Sequence, residues 1–198
     1  MRLRLGVLTI SLCLALAACG GGSGASPAEQ LALDIRGELL EQTGGSAQVQ
    51  VTADYGRRVY EYGVAMTWER EGETVLALTA PENVAGVSAR IRAGETALEY
   101  DGARIETGPL DDSGLSPLAG LPLLLEYART GWMAECGMEE LDGGAVLRVD
   151  CRDPEKAPGE GRTCTLWFDP GTHALLRGEL AQDGFTVLRC EFETFEAW

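Results

Sequence analysis

Cysteine carries most of the reactive chemistry in this chain of 198 residues, which has six cysteines and a single histidine. Cys13 lies inside an apolar N-terminal run, and Cys19 closes that run directly after Leu16-Ala17-Ala18. The four remaining cysteines are widely spaced, at Cys136, Cys151, Cys164 and Cys190. A cysteine can carry a lipid, form a disulfide, bind a metal or act as a nucleophile, so its sequence context decides which role applies.

The N-terminal segment has the pattern of a secretory leader. Two arginines precede an apolar run over residues 5–16, which is shorter than the ~20 residues needed to span a bilayer. The sequence Leu16-Ala17-Ala18-Cys19 resembles the lipobox of bacterial lipoproteins. This resemblance implies that residues 1–18 are removed, that Cys19 is acylated, and that the protein is held on the extracytoplasmic side of the membrane. The alternative is a plain signal peptide with an incidental cysteine.

Beyond the leader, composition predicts a tethered acidic domain. Residues 19–26 are rich in glycine and serine and predict a flexible tether, and residues 27–198 are enough for one domain with a buried core. The formal net charge is −15. Nucleic acid is excluded as a partner, because its binding needs lysine and arginine at the phosphates. Anionic lipid headgroups repel such a surface, so membrane association depends on Cys19.

The four cysteines outside the leader predict disulfides. An even number of cysteines outside the cytoplasm favours bridges, and their spacing lacks the C-x₂-C pairs of zinc sites, so we expect neither a metal nor a cofactor. Strand alternation predicts that Cys151 faces Cys164 across a hairpin, which leaves Cys136 to pair with Cys190. A bridge between Cys136 and Cys151 is the alternative, because their strands are neighbours in a hairpin.

The sequence predicts two helices in the domain. Ser26-Pro27-Ala28-Glu29 is a capping box with proline at the first helical position, and it predicts an amphipathic helix over about residues 27–42, stopped by Gly44-Gly45. Ser116 caps a second helix, which has a broad apolar stripe and ends at Gly131. A helix as apolar as the second one must be buried.

The rest of the domain alternates with period two and predicts about six strands between the helices and about five after them. Hairpin turns between strands are predicted at Asp101-Gly102, Asp142-Gly143 and Asp183-Gly184. The clearest strand places Tyr60, Tyr62, Val64, Met66 and Trp68 on one face. Each apolar sheet face must be covered. We therefore predict an α+β fold in which a strongly curved antiparallel sheet of about 10–11 strands wraps around the apolar helix.

This layout resembles the superfamily of LolA, LolB and LppX, the lipoprotein-carrier-like proteins, over the segments 27–42, 94–102 and 115–121. The resemblance implies an unclosed β-barrel with an N-terminal helix, further helices across its mouth and an apolar cavity for acyl chains. Two features depart from these proteins. No Arg-Pro pair lies near Ala80-Pro81, where carriers that pass on lipoproteins often have one, and no protruding loop carries a lone leucine as in LolB.

The leading functional hypothesis is a lipid or acyl chain held between the aromatic strand face and the second helix. The predicted lining residues are Tyr60, Tyr62, Val64, Met66, Trp68, Leu118, Leu121 and Leu125. If the same residues form a filled core, the protein is instead an envelope sensor or scaffold that uses surface loops such as Asp111-Asp112 and Glu139-Glu140.

Catalysis is not expected from this sequence. The only histidine, His173, lies in a predicted turn, and neither G-x-S-x-G nor H-E-x-x-H occurs. A cysteine nucleophile is disfavoured because the four cysteines are expected to be paired.

Overall fold

Two helices and eleven strands form the part of the chain that this computed structural model describes, residues 25–108 and 115–198. The helices are α1 (Pro27–Glu41) and α2 (Pro117–Thr130). The strands are β1 (Gly44–Asp54), β2 (Val59–Glu69), β3 (Thr74–Ala80), β4 (Ser88–Arg92), β5 (Glu95–Tyr100), β6 (Ala103–Glu106), β7 (Met133–Leu141), β8 (Gly144–Arg152), β9 (Arg162–Phe168), β10 (Leu175–Gln182) and β11 (Phe185–Ala197). The leader, Cys19 and the acidic pair Asp111-Asp112 lie outside the described residues.

All eleven strands belong to one antiparallel sheet, in the order β6-β5-β4-β3-β2-β1-β11-β10-β9-β8-β7. Two meanders, β1–β6 and β7–β11, are joined where the first strand pairs with the last. Strands β6 and β7 are the two ends of this order and do not pair, so the sheet is unclosed. The predicted fold class and strand number are confirmed.

Helix α1 begins as its sequence predicts. The Ser26 hydroxyl accepts a hydrogen bond from the Glu29 N–H at 3.2 Å, and the Glu29 carboxylate accepts the Ser26 N–H at 2.5 Å. The prediction that Gly44-Gly45 stops the helix is wrong. Helix α1 ends at Glu41, and Gly44-Gly45 forms the start of β1. The ring of Trp68 occupies the space that a Cβ atom on Gly45 would need, so packing requires this glycine.

Helix α2 begins at its Ser116 cap, which accepts a hydrogen bond from the Ala119 N–H at 3.2 Å. It ends at Gly131, whose N–H donates to the Tyr127 carbonyl at 2.9 Å. Its inner side is buried and lies over β9–β11, while α1 lies over β7, β8 and α2. The helices thus cover the inner face of the C-terminal half of the sheet. None of the helices in residues 25–108 and 115–198 is long and apolar enough to cross a membrane.

Tight hairpins set the register of the meanders. At Asp101-Gly102, Asp142-Gly143 and Asp183-Gly184 both residues have positive φ, between 48° and 83°. This is the type I′ geometry that matches strand twist and that aspartate and glycine adopt at low cost. The predicted turns at Asp101-Gly102, Asp142-Gly143 and Asp183-Gly184 are therefore confirmed. Each turn sets the register in which the two strands that it joins pair.

Candidate ligand-binding site

The structure places most of the predicted lining residues in the core. Val64, Met66, Trp68, Leu121 and Leu125 are all buried and belong to a single core cluster that includes side chains from both helices. Trp68 stacks on Phe195, with ring centroids 5.6 Å apart. This part of the aromatic strand face is therefore filled by protein side chains.

The remaining three predicted residues are partly accessible. Tyr60 is 38% exposed, and Tyr62 and Leu118 are half-buried. Tyr60 lies between two other tyrosines, with ring centroids 6.1 Å from Tyr55 and 6.3 Å from Tyr62. These three rings form an aromatic row that leads from the core toward the end of the β1–β2 hairpin.

A cavity of about 630 Å³ opens at that end of the sheet, and we call it the mouth cavity. Its walls come from three elements: the β1–β2 connection, the start of α2 and the β10–β11 hairpin. They are lined by Asp54, Tyr55, Gly56, Leu115, Ser116, Gln182, Phe185 and Val187. The aromatic and aliphatic members supply most of the lining, which is the composition of a site for an apolar molecule.

Local sequence positions the walls of the mouth cavity. The Asp54 carboxylate accepts the Gly56 N–H at 2.7 Å, and Gly56 has a φ of +79°, which glycine tolerates. The Tyr55 hydroxyl donates to the Leu115 carbonyl at 3.2 Å and so joins the β1–β2 connection to the start of α2. The Asp183-Gly184 turn sets Phe185 at the rim. Sequence reasoning missed Tyr55, Leu115 and Phe185, because each lies at or just beyond the end of a helix or strand, next to a turn or loop.

A network of ion pairs joins β4, β5 and β6 on the outer face of the sheet. Arg90 contacts Glu73 at 2.7 Å and Glu99 at 2.9 Å, and Arg104 contacts Glu99 at 2.9 Å. The hydrogen bond from Arg90 lowers the pKa of Glu99. These groups are solvent-accessible and paired, so they contribute little stability individually and form an ordinary charged surface.

The register of β8 and β9 confirms one predicted cysteine relationship. Cys151 is directly opposite Cys164, Val149 is opposite Leu166, and Leu147 is opposite Phe168. Both thiols are buried on the inner face. All four described cysteines are free thiols in the structure, so the Cys151–Cys164 bridge itself remains a prediction.

The structure does not bring Cys136 and Cys190 together. Cys136 lies on β7 and Cys190 on β11, with β8, β9 and β10 between them, so about 19 Å of sheet separates them at ~4.8 Å per strand. That distance is too long for a disulfide. Cys136 is opposite Val149, two residues from Cys151, which is a diagonal offset longer than a bridge allows.

Burial also suppresses the reactivity of these thiols. It raises the pKa of Cys151 to about 11, and it raises the pKa of Cys164, Cys190 and half-buried Cys136 as well. A thiol must lose its proton to act as a nucleophile or a metal ligand. At neutral pH these four groups therefore stay protonated and unsuited to nucleophilic catalysis.

His173 lies in the turn after β9, as predicted, and it contacts a helix. Its Nδ1 is 2.8 Å from a carboxylate oxygen of Glu38 on α1. The turn is held by Asp169, which accepts the N–H groups of Thr172 at 2.6 Å and Gly171 at 2.8 Å, and these bonds lower its pKa. His173 thus ties α1 to the β9–β10 turn.

Glu139 and Glu140 do not form the predicted acidic loop, because both lie within β7. The Glu139 carboxylate accepts the indole N–H of Trp167 and lies 3.9 Å from Arg148. Strand pairing between β7 and β8 fixes the backbone of both residues, so their side chains belong to the surface of the sheet. Among residues 25–108 and 115–198, no group of three or more histidine, cysteine, aspartate or glutamate side chains could hold a metal ion.

No protein-family model matches the chain, and no curated protein matches it. Solved structures are similar to it. An uncharacterized conserved protein from Thermus thermophilus superposes with a TM-score of 0.52 and 13% identity, over 85% of this chain and 86% of that one. LprF from Mycobacterium bovis gives a TM-score of 0.49 and 16% identity, over 88% and 95% of the two chains. A putative outer membrane lipoprotein-sorting protein domain from Vibrio parahaemolyticus gives 0.47 and 12%, over 83% and 91%.

Proposed function

We propose that this chain, which has the LolA-like unclosed sheet with helices on its inner face, binds an apolar ligand, a lipid or an acyl chain, in the mouth cavity. The observation that carries this proposal is the apolar lining of the mouth cavity at the open end of the curved sheet. A cavity of about 630 Å³ lies within the range of small-molecule sites. Each methylene that enters it from water would contribute about 0.8 kcal/mol.

The aromatic row supports the same proposal. Tyr55 lines the mouth cavity, and the rings of Tyr60 and Tyr62 follow it along the row, so the row extends the apolar surface from the cavity wall toward the core. Since the core beyond Tyr62 is filled at Val64 and Met66, the ligand is confined to the mouth. The cavity then holds part of an acyl chain and leaves the polar end of the ligand in solvent.

Localisation belongs to the same proposal. The protein is an extracytoplasmic lipoprotein that is anchored through acyl chains on Cys19, a residue outside those that the structure describes. Residues 19–26 then keep the domain within reach of one membrane surface. Such a protein receives or presents a lipid near its anchor and does not shuttle between membranes. The proposal includes no catalytic step.

The filled core supports a second candidate function. Val64, Met66, Trp68 and Leu121 occupy the space between the aromatic strand face and α2 where the sequence predicted a ligand. If the mouth cavity holds no ligand either, the protein acts as an envelope sensor or scaffold through its surface. The two functions differ in whether the isolated protein carries a lipid.

The deciding experiment is native mass spectrometry of the mature chain after mild extraction, followed by displacement of an apolar fluorescent dye. We expect a co-purifying lipid mass and saturable dye binding. Phe185→Glu puts a charge on the cavity rim and should weaken dye binding about tenfold, because a charge is costly in an apolar site. Leu33→Glu is the matched control, since both side chains are 47% exposed and Leu33 lies on α1. A ligand-free mass together with equal dye binding in both variants would favour the sensor or scaffold.

A further inference from the structure

A second, independent feature lies at the other end of α2, around Arg129. The Nε and Nη2 atoms of Arg129 are shielded from solvent and have no hydrogen-bond partner among the described residues. These two atoms form one edge of the guanidinium group, the edge that binds two oxygens of a single anion side by side. No carboxylate in the described part of the chain forms an ion pair with this arginine, although the whole chain carries 31 acidic residues.

A neighbouring arginine makes the surroundings of Arg129 more positive. Burial lowers the pKa of Arg129, and the positive charge of Arg70, which follows β2, lowers it further. Arg70 is held in place at two points, because its guanidinium donates to the Leu40 carbonyl and its backbone N–H donates to the Thr43 carbonyl at 2.8 Å. Leu40 lies one turn after Arg36, whose side chain contacts the end of α2, so Arg70 lies near the end of the helix that carries Arg129.

The helix terminus does not account for Arg129. A cation in the last turn of a helix is stabilised by the free carbonyl groups there. In α2, Arg36 from the other helix already donates to two of these carbonyls, on Ala128 at 3.1 Å and Tyr127 at 3.4 Å. Thr130 and Gly131 donate to the carbonyls of Glu126 and Tyr127. Arg129 is thus a half-buried charge whose Nε and Nη2 donors are shielded and have no partner among the described residues, a costly feature that proteins keep chiefly at functional sites.

We infer that Arg129 and Arg70 form a binding site for a phosphate group, either free phosphate or the headgroup of a phospholipid. The anion neutralises two like charges and takes the paired donors of Arg129. In this site the half-buried side chain of Arg129 turns its shielded donor edge toward the anion when the anion binds. The site lies at the C-terminal end of α2, whereas the mouth cavity lies at the N-terminal end. This inference therefore does not depend on the proposed function.

Calorimetric titration of the mature chain tests the site, with inorganic phosphate at constant ionic strength. We expect saturable binding that weakens about tenfold or more in Arg129→Gln, which removes a charge-assisted bidentate contact. Arg92→Gln, which removes one positive charge from an exposed position on β4, should bind like the wild type. Dihexanoyl phosphatidic acid, with dihexanoylglycerol as its phosphate-free control, shows whether a lipid headgroup is bound.

Each outcome of this titration decides the question. Binding of either phosphate compound that is lost in Arg129→Gln and kept in Arg92→Gln supports the site, and the compound that binds more tightly identifies the source of the phosphate. Absence of saturable binding of both, or equal binding in both variants, overturns it. The thermal midpoint gives an independent readout, because Arg129→Gln should unfold at the same or a higher temperature if these donors have no partner. Should Arg129→Gln fail to fold, Arg129→Lys takes its place, since it keeps the charge and loses the donor edge.

Discussion

The side chain of Leu124 fills the space where Gly178 has no Cβ atom. An added Cβ on Gly178 would lie 2.9 Å from the Leu124 Cδ1 atom and 3.0 Å from its Cδ2 atom. Leu124 is fully buried on α2, and Gly178 lies on β10 beneath it. This contact sets how closely the apolar helix approaches the sheet.

Gly178→Ala should therefore destabilise the fold by about 1–3 kcal/mol, because α2 must shift or Leu124 must leave its position. Urea unfolding at equilibrium measures this difference. Gly137→Ala on β7 is the matched control, since a Cβ there would meet nothing within 4 Å. The control should be close to neutral. Equal losses in the two variants would mean that the Leu124 contact does not limit the approach of α2.

The opposed thiols of Cys151 and Cys164 should form a disulfide when the protein matures in an oxidising compartment. Peptide mapping by mass spectrometry should find this pair and no peptide that joins Cys136 to Cys190. A bridge that closes a loop of this size stabilises a protein by about 3 kcal/mol, so reduction should lower the urea midpoint. Cys151→Ser should remove the effect of reductant, whereas Cys190→Ser should keep it. A Cys136–Cys190 peptide would contradict the strand order.

The reduced protein should lose stability at alkaline pH. Burial raises the pKa of Cys151 from 9.0 to about 11. Between these values the folded thiol keeps its proton and the unfolded thiol loses it, so unfolding releases a proton and rising pH favours the unfolded state. We expect the unfolding free energy to fall between pH 9 and 11. The Cys151 thiol should account for on the order of 2 kcal/mol of this decrease.

Urea midpoints in reductant, measured at pH 8 and at pH 10.5, give this comparison. Cys151→Ala removes the titrating group and should show a smaller decline than the unsubstituted protein. If both proteins decline by the same amount, the Cys151 thiol does not contribute to the pH dependence.

The contact between His173 and Glu38 should add only modestly to stability. His173 has a φ of +61°, which asparagine also tolerates, so His173→Asn removes the contact and keeps the turn. We expect a cost below about 1 kcal/mol, since the pair is partly exposed. A double-mutant cycle with Glu38→Gln isolates the interaction. A coupling energy near zero would show that this contact does not help to hold α1.

The lipid anchor can be tested directly. Cys19→Ser should move the protein from the detergent-soluble membrane fraction to the aqueous fraction, because each lost acyl methylene removes about 0.8 kcal/mol of membrane affinity. Mass spectrometry of the unsubstituted protein should give a chain that begins at Cys19 and carries acyl chains. An unmodified Cys19, or a chain cut elsewhere, would leave the plain signal peptide as the correct interpretation.

Local pattern predicted a large part of this fold. The Ser26 cap predicted the start of α1, and the Asp183-Gly184 turn predicted the last hairpin, because both depend on hydrogen bonds and backbone angles within a few residues. The alternation in β8 and β9 was regular enough to predict that Cys151 faces Cys164. The mouth cavity was missed, since Tyr55 and Phe185 come together from opposite ends of the chain.

The sequence by itself determined the helices, the strand faces and the hairpin registers, because these follow from side-chain period and turn chemistry at short range. Only the tertiary structure decided that β1 pairs with β11, that Met66 and Leu121 fill the core, and that Cys136 lies far from Cys190. The physical reason is distance along the chain. Pairing between remote strands depends on the packing of the whole sheet around α2, and no local pattern carries that information.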